Sequence, residues 1–120
     1  MGYKALRGAV GVDYDTPLDV DRAVKEMMDA VYSENGITDE DVAFLLFSQT
    51  VDIKSRNAAT AFRKTGRGAD VPLFCVQEAE VHGQLERVIR VLVSLKKERE
   101  DAYMVYLGRA VRLRPDIAGK

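Results

Sequence analysis

Val20, Val24, Met27, Met28 and Val31 recur at steps of three and four residues and form one apolar stripe at helical spacing. The helix they predict opens at Thr16-Pro17-Leu18-Asp19, where Thr16 can cap, Pro17 fits the first turn and Asp19 stands at the third position. Asn35-Gly36 ends it with a residue suited to a left-handed turn. Elsewhere the apolar runs are short. Tyr3 to Val12, Val42 to Phe47 and Val71 to Val76 each read as a strand, the last two as buried ones. Gly8 and Gly11 mark places where a backbone or a ligand can come close to the first strand. Glu86 to Leu95 admits helix or strand, and its β-branched residues favour strand. The pattern further predicts short helices over Asn57 to Thr65 and Glu98 to Leu107, a turn at His82-Gly83-Gln84 and a last strand over Ala110 to Leu113. With one long helix, one or two short ones and about five strands, the fold class is α+β.

Length and charge narrow the functional classes. A chain of 120 residues fits one domain, 1–120, burying roughly 65% of its unfolded surface. Acids and bases are interspersed to a net charge of −1, so there is no global field for nucleic acid or a membrane surface. The basic clusters Arg63 to Arg67 and Arg109 to Arg114 are too short to alter that reading. No apolar stretch approaches a membrane span, and the opening residues do not resemble a signal peptide, so a cytoplasmic protein is expected. A single cysteine and a single histidine leave no disulfide and no zinc cluster. Gly66-Arg67-Gly68 lacks the rest of a phosphate loop or dinucleotide fingerprint, and no serine sits in a nucleophile elbow. Neither metal nor cofactor is called for.

What remains is a small set of charges on apolar elements. Arg90 interrupts Val88-Ile89-Arg90-Val91-Leu92-Val93, a run expected to be buried, and a buried guanidinium needs an anion. Its bland alternative is an arginine on an edge strand with its head in water. Glu78, after Cys75-Val76-Gln77, and Arg7, in Leu6-Arg7-Gly8-Ala9, are further candidates. By its own pattern Arg63 belongs to a solvated helix face, Tyr106 is a core residue with a wet hydroxyl, and Cys75 is inert core. Arginines and a carboxylate without a nucleophile bind a small dianion, and catalyse only what charge placement and confinement allow.

In order along the chain, Leu6-Arg7-Gly8-Ala9, Asp15-Thr16, Val71-Pro72, Cys75-Val76-Gln77-Glu78, Ile89-Arg90-Val91, Val105-Tyr106-Leu107 and Leu113-Arg114-Pro115-Asp116 resemble the monofunctional chorismate mutases of the Bacillus (AroH-class) type. That resemblance implies a ferredoxin-like subunit with a mixed sheet, and a homotrimer forming a pseudo-α/β-barrel with active sites between subunits. It also implies the Claisen rearrangement of chorismate to prephenate, towards phenylalanine and tyrosine. By the same likeness, Arg90 would donate to the breaking ether oxygen, and Glu78 would accept from the ring hydroxyl with Cys75 close by. Arg7 and Tyr106 would bind the side-chain carboxylate, and Arg63 and Arg114 would stand at the entrance. The chain departs from the family at Asn57 and Thr60, where a phenylalanine and a lysine are usual, and at Tyr103-Met104-Val105 before Tyr106. Those changes leave room for a rival, a non-catalytic trimeric binder of a small carboxylate metabolite.

Overall fold

The computed structural model describes residues 2–113. Five strands form one mixed sheet: β1 (Tyr3–Gly11), β2 (Val42–Gln49), β3 (Leu73–Gln77), β4 (Val88–Arg99) and β5 (Val105–Leu107). Their order is β3-β2-β4-β1-β5. The central strand β4 runs antiparallel to both β1 and β2, while the edge strands β5 and β3 are parallel to β1 and β2. The helices α1 (Pro17–Asn35) and α2 (Ala58–Arg63) pack on one face.

The predicted long helix forms as its signals dictate. Thr16 accepts from the Asp19 N–H, and Gly36 takes φ 61° at the other end. All five residues of the stripe are buried against Leu6, Val10, Leu45, Phe47, Ile89, Val91 and Val93 of the sheet. Gly8 allows this approach, since a Cβ there would lie 2.8 Å from Val31. Gly11 serves a backbone instead: a Cβ would stand 3.0 Å from the Arg109 nitrogen. Asn57 accepts from the N–H groups of Ala59 and Thr60 and so caps α2, which gives the departure at that position a structural role.

Two predicted elements are replaced. Glu98 to Leu107 is not a helix: β4 runs on to Arg99, paired there with Tyr3, and β5 begins at Val105. Between them the chain is held extended by Asn35, which is buried. It accepts from the Tyr103 N–H at 2.8 Å and donates to the Tyr103 carbonyl at 2.9 Å. Those tertiary hydrogen bonds override the local helix preference. Ala110 to Leu113 is not a strand either, because Gly108 turns the chain out of the sheet at φ 60° into a 3₁₀ helix, Gly108–Leu113. The fifth strand is β5, three residues upstream of that prediction.

β2 and β3 are buried on one face only. Leu45 and Phe47 point into the core, whereas Phe44 and Phe74 are exposed on the face that no helix covers. Runs that are apolar on both faces belong to strands covered on both sides. Here the chain itself supplies one cover.

Candidate functional site

Strand alternation sorts the candidates. In β4, Ile89, Val91, Val93 and Leu95 face the helices, so Arg90, Leu92 and Ser94 face the open side. Arg90 is therefore not buried. Its side chain retains 49% of its exposure, and it lies at the sheet's centre rather than its edge, so neither sequence reading of its surroundings holds. Period-two alternation explains why: the apolar run covers the core with every second residue, and Arg90 falls between.

Register brings the partners together. Arg90 stands opposite Ala9 on β1 and Ser48 on β2, and Ala9 in turn pairs with Tyr106 on β5. Arg7 is one step along β1, opposite Leu92. Glu78 leaves the end of β3 with its N–H donating to the Gln49 carbonyl, which turns its carboxylate over the open face. Oε2 of Glu78 accepts from the Ser48 hydroxyl at 2.7 Å and lies 3.4 Å from Nε of Arg90. Arg90 and Glu78 were expected to flank a ligand. In the free chain they are direct partners. With Arg90 half exposed, the pair adds little to stability, and its effect is to hold both groups in place.

Ser48 escaped the sequence reading, and Met104 entered it only as a departure from the family. Ser48 anchors Glu78, and its signal was its place in an apolar run at the same alternation as Phe44 and Leu46. Met104 accepts the Arg7 N–H through its sulfur at 3.0 Å, a contact no local pattern announces.

Cys75 is a correction. Three residues from Glu78 on an extended chain, it faces the helices instead of joining Glu78 on the open side. Its Sγ lies 3.3 Å from Oε1 of Gln49, which also accepts the Ala58 N–H at the start of α2. Burial pushes the thiol's pKa up, against smaller opposing contributions from the α2 backbone, so the thiol stays protonated at neutral pH. Arg63 sits exposed in the last turn of α2. The sheet thus stands between one group (Arg7, Glu78, Arg90 and Tyr106) and another (Cys75 and Arg63). Arg114 lies outside the described residues.

Two residues of the basic clusters have structural tasks. Arg67 pairs with Asp29 and covers the rings of Tyr32 and Phe62 at 5.2 and 5.4 Å, and Arg109 donates to backbone carbonyls. Neither forms part of a free basic surface. A groove of about 870 Å³ runs beside Arg67, between Asp29, Tyr32 and Thr38 to Glu40, and contains none of the predicted site residues. On the open face Phe44, Leu46, Pro72 and Phe74 line an apolar dent of about 160 Å³. Among the described residues no group of three or more His, Cys, Asp or Glu is placed to hold a metal ion, and no helix is long and apolar enough to cross a membrane.

Helices on one face of a mixed sheet, with an arginine–carboxylate pair and apolar side chains on the other, define an α+β protein with a charged pair on its open face. The chain belongs to the chorismate mutase type I family, whose model matches residues 3–117. It is 32% identical to the chorismate mutase AroH of Bacillus subtilis, over 98% of this chain and 94% of that protein. To the chorismate mutase AroH of Thermus thermophilus it is 38% identical, over 95% of each. A solved chorismate mutase from Clostridium thermocellum superposes with a TM-score of 0.83 at 28% identity, covering 88% of this chain and 96% of the other.

Proposed function

We propose that this chain is a chorismate mutase, converting chorismate to prephenate in the cytoplasmic synthesis of phenylalanine and tyrosine. The observation that carries the reading is the Arg90–Glu78 pair, set on the open face beside Arg7 and Tyr106 in a chain of this family. The rearrangement breaks the ether C–O bond and forms a C–C bond within one molecule, so it needs no nucleophile. It needs the flexible dianion held in its compact chair-like conformer, and charge matched to the transition state.

Arg90 donates to the ether oxygen as that oxygen gains negative charge. A planar guanidinium presents several donors in fixed directions, which a lysine cannot do. Substrate entry exchanges Glu78 for the ligand on Arg90, while Ser48 keeps hold of the carboxylate. Glu78 then accepts from the ring hydroxyl and complements the positive charge that develops on the ring. Arg7 and Tyr106 take the side-chain carboxylate.

Arg63 reaches the ligand from a neighbouring subunit, whereas Cys75, turned towards α2, takes no part. The sheet separates Arg63 from Arg90 in one chain, which supports a site shared between copies. Phe44, Leu46, Phe74, Val76 and Leu92 supply an apolar surface for association, and the chain forms a homotrimer.

The test is the loss of chorismate absorbance on adding the purified chain, with light scattering for its mass. Turnover without added cofactor, at three times the monomer mass, is the expected result. Saturable binding of chorismate without turnover would instead make the chain a carboxylate binder.

A further inference from the structure

Arg90 reaches the open face only if β4 begins at the right residue, because a slip of one position would turn every side chain of the strand to the opposite face. The start of β4 carries a strained residue. Arg87 has φ 46°, the one positive φ outside glycine among the described residues. An arginine holds that conformation only where its surroundings impose it.

The restraint is traceable atom by atom. The Arg87 N–H donates to both carboxylate oxygens of Asp52, at 3.0 and 3.2 Å. Asp52 Oδ1 also accepts from the Thr50 hydroxyl at 2.5 Å, and that hydroxyl accepts from the Val88 N–H at 3.1 Å. Thr50 is buried, and its N–H donates to the Val88 carbonyl. One carboxylate therefore fixes the last residue before β4 and, through Thr50, the first residue in it. From the other side the Val12 N–H donates to the Arg87 carbonyl at 2.8 Å. Arg109 draws the same junction together, donating to the Val12 carbonyl at 2.6 Å and to the carbonyls of Glu86 and Arg87 at 3.2 and 3.3 Å.

We propose that Asp52, by holding Arg87 in its left-handed conformation, is a positioning residue that sets Arg90 at its working place on the open face. This rests on the function proposed above. Asp52 touches no substrate, and its effect is transmitted along three residues of backbone to a guanidinium that acts in the transition state. Loss of Asp52 lets the start of β4 relax and moves Arg90 away from the reacting oxygen.

Chorismate kinetics of the full chain test this with wild type, Asp52→Ala, Arg90→Lys and the double variant. Absence of turnover in wild type overturns the function itself, and this role with it. Given turnover, Asp52→Ala is expected to lower kcat about tenfold or more while KM moves by less than about threefold, as displacement of a catalytic group does. In the Arg90→Lys background the same change should alter kcat by less than about twofold, because the group it positions is already gone. Adding Arg87→Gly to Asp52→Ala should recover most of the loss, since glycine takes a positive φ without a restraint. Should Asp52→Ala fail to fold, Asp52→Asn, with one good acceptor left, carries the same comparison. A kcat within about twofold of wild type, or an equal loss in both backgrounds, overturns the role.

Discussion

The two faces of the sheet are built from the same strands and do opposite things. Towards the helices, Phe47 packs with its ring centroid 5.9 Å from that of Phe62 and is fully buried; three residues earlier on β2, Phe44 is 43% exposed. Likewise in β4, Ile89 and Val91 close the core while Arg90, between them, meets Glu78 over the open side. The covered face stores the folding energy of the chain. The open face holds the charged pair and the exposed apolar side chains on which the proposed chemistry and association rest. A mutation should therefore damage stability or activity according to the parity of its position, more than according to the residue type it removes.

The sharpest way to break that division is Phe47→Ala. It opens a cavity in the covered face and should cost ~3–5 kcal/mol, read from the denaturation midpoint. Phe74→Ala, on the open face, should leave the melting of an isolated chain nearly unchanged. Leu92→Asp adds a carboxylate to the apolar part of the open face, opposite Arg7 and Leu46, and should reduce the assembly to monomers by light scattering while helix content by circular dichroism is kept. A variant that remained at trimer mass would remove the open face from the interface.

Smaller effects belong to the supports of the covered face. Thr16→Ala deletes the cap on α1 and should lower stability by about 1 kcal/mol without altering kcat. Acid should act more weakly still, through Asp29. Its hydrogen bond from Lys25 outweighs partial burial and, with the Arg67 charge, holds its pKa below the ordinary 3.8. The stabilising contribution is complete above about pH 3.8 and is lost as pH falls through the lower folded value. An Asp29→Asn variant should accordingly show a shallower stability loss on acidification than wild type, and an unchanged slope would exclude that contact.

Much of this arrangement is legible in the sequence. The caps and the apolar stripe locate α1 to within a residue, and the residues of the resemblance point to Arg7, Glu78, Arg90 and Tyr106 before any pairing is known. Parity is harder to read. A run such as Phe44-Leu45-Leu46-Phe47 is apolar at every position, so no alternation says which side a helix covers, and Arg90 looks buried when it is not. The misread segments fail for another reason. Tyr103 is held extended by Asn35, 68 residues away in sequence, and Gly108 ends the last strand by taking φ 60°. A long-range hydrogen bond such as that from Asn35 leaves no local mark. Cys75 shows both limits: family likeness names it, and strand parity places it on the other side of the sheet from Glu78.

The central claim is that the open face carries the reaction and that Arg90 is its cation. Chorismate turnover by Arg90→Lys, measured beside its thermal melt, tests this most directly. The expected result is a kcat lower by roughly 10²–10³, the loss that follows removal of one transition-state donor, with an unchanged melting temperature. Turnover at the wild-type rate would contradict the account.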